Sequence, residues 1–228
     1  MRGMWEQLPP VTRNILAITA VVGVADFVLG SFGIDLVYWL GLMNIGWSSF
    51  HGAGSFHIWQ PLTYMFMHIN VWHWICNMLA VWMFGMTIER EWGSKKYLTY
   101  YLVCGIGAAI VQELIWMMTT HGPAVTIGAS GAVFGILFAF AWLFPEQKMF
   151  LLFVPIPIPS RVFVAIYALF ELSAGVASVN SDHIAHFAHL GGMLFGWLLL
   201  LWWKHKDDER KNRFQGKDFS NYHYKDPS

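Results

Sequence analysis

Six apolar segments, separated by shorter polar stretches, constrain the fold of this chain more than any other feature of its sequence. They lie at about residues 14–31, 66–88, 95–118, 130–144, 161–177 and 183–203. Most of them approach the ~20 residues that an α-helix needs to cross a bilayer. Only 12% of the residues are charged, about half the fraction found in soluble domains. The sequence therefore predicts an all-α membrane protein built as a bundle of six transmembrane helices.

The remaining segments divide the chain around this bundle. The first long loop, at about 32–65, contains no lysine or arginine but several aromatic residues, so we expect it to lie on or dip into the membrane. Residues 1–13 are predicted to be a cytoplasmic N-terminus without a cleavable signal peptide. Residues 14–203 are predicted to form the helical domain, and 204–228 a charged, disordered cytoplasmic tail. The aromatic residues of the loop include Trp39, Trp47, Phe50, Phe56 and Trp59.

The distribution of basic residues predicts how the chain is oriented. All 14 lysines and arginines fall in segments on one side of the predicted spans, and the loops at 32–65, 119–129 and 178–182 contain none. The positive-inside rule then places both termini in the cytoplasm, as expected for a multi-pass protein of a cell (inner) membrane. The formal net charge is zero, which argues against a nucleic-acid partner.

Ser130 lies at the start of the fourth span, which looks too short to cross the hydrocarbon core. Its roughly fifteen residues cover roughly 22 Å of a core about 30 Å thick. If the inner end of this span meets the cytoplasmic interface, Ser130 lies roughly 8 Å below the outer one, and His189 on the sixth span roughly 9 Å. A serine hydroxyl needs a nearby base to act as a nucleophile. We therefore predict a catalytic pair of Ser130, the nucleophile, and His189, the general base.

Two further polar residues lie at similar depth on the second span. His73 and Asn77 are spaced i, i+4, so both side chains project from one face of the helix. Their N–H groups, with the backbone N–H of Ser130, are predicted to stabilise the oxyanion that forms when the serine attacks. Gly128 allows the chain to turn tightly into the fourth span.

Glycine pairs predict close contact between the spans that carry the catalytic pair. Gly131 and Gly135 form a Gly-x-x-x-Gly face on the fourth span, and Gly192 and Gly196 form another on the sixth. Such faces allow two membrane helices to approach closely. This approach is what a hydrogen bond between Ser130 and His189 requires.

No carboxylate in the sequence is an obvious third member of a triad. Asp182 lies near the outer end of the sixth span, so we expect a dyad whose imidazole is positioned by packing. Phe134, one turn after Ser130, is the candidate ring to lie against it. His68 is interpreted as a residue at the start of the second span with a supporting, structural hydrogen bond.

These motifs together resemble the rhomboid family of intramembrane serine proteases. The resemblance covers about residues 57–203, with the motifs in the family's order and spacing. The matching segments are Gly128-Ala-Ser130-Gly131, Ala188-His189-Leu-Gly-Gly192 with Gly196, His68-x4-His73-x3-Asn77 and Glu89-Arg90-Glu91-Trp92-Gly93. The resemblance implies a six-helix core with a membrane-embedded first loop. It also implies catalysis by Ser130 and His189, oxyanion donors at His73 and Asn77, and a fifth span that gates lateral access of a substrate helix.

Two positions depart from the pattern of this family. Many members have Trp-Arg before the second span, where this chain has Trp59-Gln60. Several bacterial members place a tyrosine against the base, where this chain has Phe134. With glutamine in place of arginine, the charged anchor of the first loop is missing. With phenylalanine in place of tyrosine, the ring beside the base has no hydroxyl group.

The sequence thus predicts a serine endopeptidase that cleaves transmembrane segments of single-span membrane proteins near their outer end, within the lipid bilayer. We expect it to need no metal and no organic cofactor. One alternative is a catalytically silent relative that binds membrane clients. A second is a metal or proton transporter, since His183, His186 and His189 form a histidine series. Acidic residues within the spans also favour that alternative, namely Asp26, Glu113 and Glu171.

Overall fold

The computed structural model of the protein describes residues 4–45, 55–120, 122–151, 154–177 and 186–215, which are mostly helical. Five helices in these ranges are long and apolar enough to cross a membrane, and a sixth apolar helix is shorter. The prediction of an all-α membrane protein is confirmed, and the six predicted spans correspond to these six helices. The helices are α1 (Pro10–Gly30), the single-turn α2 (Val37–Leu40) and α3 (Gln60–Thr63), α4 (Val71–Trp92), α5 (Ser94–Thr119), the shorter α6 (Ser130–Leu143), α7 (Ser160–Ala177) and α8 (His186–Gln215).

The start of α4 and the end of α8 differ most from the predicted boundaries. Helix α4 begins at Val71, not near residue 66, because Asn70 caps it by accepting a hydrogen bond from the backbone N–H of His73 at 2.8 Å. Helix α8 continues to Gln215, whereas residues from 204 onward were expected to be a disordered tail. Lysine, glutamate and arginine are good helix formers, so a helix can leave the membrane without ending. Residues 216–228 lie outside the described ranges.

A buried carboxylate joins α1 to the end of α4. The first backbone N–H groups of α1 have no partner within the helix, and Glu89 accepts from those of Val11 (2.9 Å) and Thr12 (2.7 Å). The hydroxyl groups of Thr12 and Ser94 also donate to this carboxylate, each at 2.7 Å. The negative charge lies at the positive end of the α1 dipole, which adds to the stabilisation.

Replacing Glu89 with alanine is therefore expected to destabilise the protein strongly. Four donors would lose a charged acceptor, at a site where the side chain is buried, and a loss of about 3 kcal/mol or more is expected. Unfolding in detergent, followed by circular dichroism, measures this loss. The neighbouring Glu91 is exposed, so Glu91→Ala is the matched control and should unfold like the wild type. Equal stability of the two variants would contradict this interpretation.

Gln60 holds separate parts of the first loop together. This side chain is fully buried, and it bonds to four backbone groups of the loop. Its oxygen accepts two N–H groups and its nitrogen donates to two carbonyls, so Gln60 supplies a polar anchor where many family members have arginine. The partners are Met43 N and His57 N, each at 3.2 Å, Tyr38 O at 3.2 Å and Ser55 O at 3.3 Å.

Contacts with α5 and with the segment before Ser130 connect this loop to the rest of the chain. Strand β1 (Leu42–Met43) pairs antiparallel with β2 (Val125–Thr126), in the segment that leads to Ser130. Glu113 of α5 accepts a hydrogen bond from the backbone N–H of Ile45 at 3.1 Å. Trp47 and Phe50, which contributed to the predicted interfacial character of the loop, lie outside the described residues. The depth of the loop in the membrane remains a prediction.

The core of the bundle lies where α5, α6 and α8 pack together. The hydroxyl of Tyr100 on α5 donates to the carbonyl of Gly135 on α6 at 2.9 Å. A Cβ on Gly192 of α8 would overlap the carbonyl oxygen of Gly131 on α6. The predicted close approach of these two glycine faces is thus present. A hairpin of β3 (Lys148–Leu151) and β4 (Val154–Pro159) then leads from α6 to α7.

Candidate active site

Ser130 and His189 lie in hydrogen-bond contact although 59 residues separate them in the chain. The Nε2 atom of His189 is 2.9 Å from the Oγ of Ser130. Ser130 is the first residue of α6, and His189 lies in the first turn of α8. The contact follows from the glycine-mediated approach of α6 to α8, which brings the two N-terminal turns together.

The loop before α6 holds the serine at the end of its helix. Gly128 has a φ of 132°, a backbone conformation that residues with a side chain rarely adopt. Its backbone N–H donates to the carbonyl of Tyr64 at 2.9 Å, which fixes the loop against the segment before α4. The backbone N–H of Ser130 belongs to the first turn of α6, where amide groups lack partners within the helix. It is therefore a candidate oxyanion donor.

Aromatic rings cover one face of the imidazole. Phe134 stacks on His189, with ring centroids 4.3 Å apart and planes 6° from parallel. Tyr167 of α7 stacks on the other face of Phe134 at 5.2 Å and 8°. The ring predicted to lie against the base is therefore in that place, and a second ring from α7 supports it. The ring in direct contact with His189 is that of Phe134, which has no hydroxyl group.

A carboxylate that the sequence analysis did not assign contacts the other side of the imidazole. The Oε2 atom of Glu171 is 3.0 Å from the Nδ1 of His189 and 2.7 Å from the Nδ1 of His186. Packing alone was expected to position His189, and that expectation was incomplete. An acidic residue inside an apolar helix is costly and therefore indicates a candidate functional role for Glu171. The sequence does not show which residues its side chain faces.

The two predicted oxyanion residues lie on α4, and one of them faces the serine loop. A Cβ built on Gly128 would lie 3.0 Å from the Nε2 of His73 and 3.7 Å from the Oγ of Ser130, so both groups approach the same point. Asn77 is buried, and its Nδ2 donates to the carbonyl of His73 at 3.1 Å. That bond uses one of its two amide hydrogens and leaves the other for a second acceptor.

His68 lies beside this group, in the turn before α4. Its ring centroid is 5.0 Å from that of His73, with the planes at 66°. Burial lowers the pKa of His68 to about 4, and the nearby His73 adds to the effect. The ring of His68 is therefore neutral near pH 7, and it packs edge-on against His73.

The histidine series that favoured a metal site is only partly described. His183, and Asp182 beside it, lie outside the described residues. Glu171, His186 and His189 offer ligand atoms that all lie within 4.8 Å of one another. The two nitrogens are 2.7 and 3.0 Å from the carboxylate oxygen, whereas two ligands of a tetrahedral zinc ion stand about 3.3 Å apart. The distances fit hydrogen bonds better than a zinc site.

Comparison with known proteins identifies the family. The chain is 33% identical over 159 residues to Rhomboid protein 1, mitochondrial, of Saccharomyces cerevisiae, covering 66% of this chain and 43% of that protein. It is 34% identical over 139 residues to Rhomboid protease GluP of Bacillus subtilis, covering 60% and 24%. It is 30% identical over 143 residues to RHOMBOID-like protein 1 of Arabidopsis thaliana, covering 62% and 33%. The chain therefore spans less than half the length of these relatives.

A family model supports the same assignment. The Rhomboid domain model matches residues 55–205, which is more than half of the chain. This range contains the four motifs of the predicted resemblance, including the segments around Ser130 and His189. With the multi-pass helical fold and these matches, the chain belongs to the rhomboid family.

Proposed function

We propose that this protein is an intramembrane serine endopeptidase that cleaves transmembrane segments of membrane proteins near their outer end. The observation that carries the proposal is the 2.9 Å contact between Ser130 Oγ and His189 Nε2. It pairs a nucleophile with a base at hydrogen-bond distance, which is the geometry that serine catalysis requires. Membership of the rhomboid family, one of whose matched members is named a protease, supports it.

The proposed mechanism uses the catalytic pair and the oxyanion donors predicted beside it. Ser130 attacks the scissile carbonyl carbon while His189 Nε2 takes the hydroxyl proton, and this proton then passes to the leaving amine. The oxyanion is held by the backbone N–H of Ser130 with His73 and Asn77 as side-chain donors. Water, activated by the same histidine, then hydrolyses the acyl-enzyme. The mechanism calls for no metal or organic cofactor.

The length of α6 supports cleavage near one membrane face. Its 14 residues extend roughly 21 Å, about 9 Å less than the thickness of the hydrocarbon core. With its C-terminal end at the cytoplasmic interface, the serine lies in a recess below the outer surface, where water and a partly unwound substrate helix can meet. A location in a cell membrane with both termini in the cytoplasm is part of the proposal, and the positive-inside rule supports this orientation.

The rival functions are less well supported by the site. A silent client-binding relative would not need a nucleophile and a base in contact, and this chain has both. A transporter would use the acidic residues of the spans as a pathway, but Glu113 bonds to the first loop and Glu171 bonds to the two histidines. The limits proposed for the peptidase domain remain those predicted from the sequence, 14–203, and α1 and α8 extend beyond them at either end.

Covalent labelling combined with cleavage tests the proposal. The purified protein in detergent is treated with a fluorophosphonate and mapped by mass spectrometry, and cleavage of a single-helix substrate is followed with and without chelator. We expect the label on Ser130, and cleavage that chelator does not change. Ser173→Ala is the matched control, because Ser173 is an exposed serine of α7, and it should behave like the wild type.

The outcomes separate the three functions. Cleavage that survives in Ser130→Ala, or a label on another residue, would refute the assigned nucleophile. Loss of activity on chelation alone would favour the metal-dependent alternative. Binding of the single-helix substrate without cleavage or labelling of the wild type would favour the client-binding alternative.

A further inference from the structure

Glu171 is buried in the middle of an otherwise apolar helix, which requires a physical explanation. It is the only acidic residue between Ser160 and Ala177, and its side chain is 5% exposed. A carboxylate in such a place costs several kcal/mol unless it is paired and hydrogen-bonded. Among the residues that the structure describes, its partners are two histidines of α8, and one of them is the proposed base.

The contacts of Glu171 determine where the proton of His189 resides. An ionised carboxylate only accepts hydrogen bonds, and Oε2 lies 3.0 Å from His189 Nδ1. An ionised Glu171 therefore favours the tautomer of His189 whose ring hydrogen is on Nδ1. In a neutral imidazole the lone pair is then on Nε2, which is the atom 2.9 Å from Ser130 Oγ. This is the tautomer that can take a proton from the serine.

His186 holds the carboxylate from the other side. Its Nδ1 lies 2.7 Å from the same oxygen, and the His186 side chain is buried. A single oxygen thus accepts from two histidines spaced one turn apart on α8. Because its direction is set by two donors, the carboxylate is fixed in orientation toward the base.

A glycine in α7 allows Glu171 to approach the two histidines of α8. Gly175 lies one turn further along α7, on the same face as Glu171. A Cβ on Gly175 would lie 3.2 Å from the Cβ of His186 and 3.2 Å from the ring of Phe187. The absence of a side chain there allows α7 to pack closely against the start of α8, where both histidines lie.

We infer that Glu171 is a positioning residue of the active site, which extends the dyad to a triad of Glu171, His189 and Ser130. The carboxylate fixes the tautomer of His189 and stabilises the imidazolium that forms when the serine attacks. It acts from α7, so it supports the base only while α7 packs against α8. The inference rests on the proposed function and adds a carboxylate that orients His189, which the predicted dyad lacks.

The tautomer of His189 can be read in the wild type without any substitution. Nitrogen-15 NMR of the full chain in detergent, with labelled histidine, distinguishes a protonated Nδ1 from a protonated Nε2. The His189 signals are assigned by their loss in His189→Ala. We expect the resting neutral ring to be protonated on Nδ1. A ring protonated on Nε2 would overturn the inference even if the enzyme cleaves its substrate.

Kinetics of Glu171→Gln test the charge. Glutamine keeps the shape and one acceptor oxygen but cannot compensate the positive imidazolium, so kcat should fall by about 10²-fold or more. KM should stay near the wild-type value, because Glu171 does not contact the substrate. Glu171→Asp restores the charge at a shorter reach and should recover part of kcat. His186→Asn should lower kcat less than Glu171→Gln does.

Glu113→Gln is the matched control, a buried glutamate of a membrane helix that bonds to the first loop. It should retain the wild-type kcat. Equal kcat in Glu171→Gln and the wild type, or an equal loss in both glutamine variants, would overturn the positioning role. A wild type that neither cleaves substrate nor reacts with fluorophosphonate would refute the proposed function instead, and the NMR result would still decide the tautomer.

Discussion

Alanine at Ser130 or at His189 is expected to lower kcat/KM by about 10⁴-fold or more, because each substitution removes one half of a single proton-transfer unit. The Oγ and Nε2 atoms lie 2.9 Å apart, so attack by the serine and removal of its proton by the histidine form one step. Loss of either side chain should stop that step. The double variant should therefore be hardly slower than either single variant. Cleavage of a single-helix substrate by the purified proteins measures all three.

The comparison of the double variant with the two single variants tests this prediction most directly. If the losses of the two single variants multiply in the double variant, the residues act independently and the proposed pair is wrong. Thermal unfolding in the same detergent should be close to that of the wild type for Ser130→Ala, since Ser130 is partly exposed and begins its helix. Lost activity would then not reflect lost folding.

Gly192→Ala is expected to separate the two catalytic side chains and to lower kcat/KM by about 10²-fold. The new Cβ would overlap the carbonyl oxygen of Gly131, which is backbone and cannot rotate away. Helices α6 and α8 must then move apart near the point where Ser130 and His189 meet. A misplacement of about 1 Å is enough for such a loss. The protein should also unfold more easily, as an overpacked core does.

Gly23→Ala is the matched control for this prediction. Gly23 lies in α1, and a Cβ there would meet nothing within 4 Å. The same change in the same kind of helix should leave cleavage and stability near those of the wild type. A wild-type rate in Gly192→Ala would mean that the approach of α6 to α8 does not determine the geometry of the catalytic pair.

The predicted catalytic residues could be found in the sequence because each belongs to a local pattern. Ser130 lies in the segment Gly128-Ala-Ser-Gly131 at the start of a helix that is too short for the bilayer, and His189 lies just before a glycine pair. His73 and Asn77 share a helix face by their spacing. Local spacing, helix rise and bilayer thickness together predict depth, so they could place these residues at one level of the membrane.

Gln60 shows what such patterns do not reveal. In sequence it appears as the loss of a charged anchor, since many relatives have arginine there. In the structure its amide bonds to four backbone groups of the first loop. An amide has both a donor and an acceptor, so it can satisfy N–H groups and carbonyls at once. Which groups surround it depends on how the loop folds back.

Hydropathy and charge by themselves determined that this chain is a helical membrane protein, because transfer of apolar segments into lipid depends on composition and length. Local spacing and estimated depth predicted which serine and histidine to pair. The tertiary structure decided what surrounds that pair, namely the stack of Phe134 and Tyr167 and the carboxylate of Glu171. Helix rotation and crossing set these contacts, and both result from packing between segments distant in the chain. For that reason Glu171 was only a costly buried charge until α7 was seen against α8.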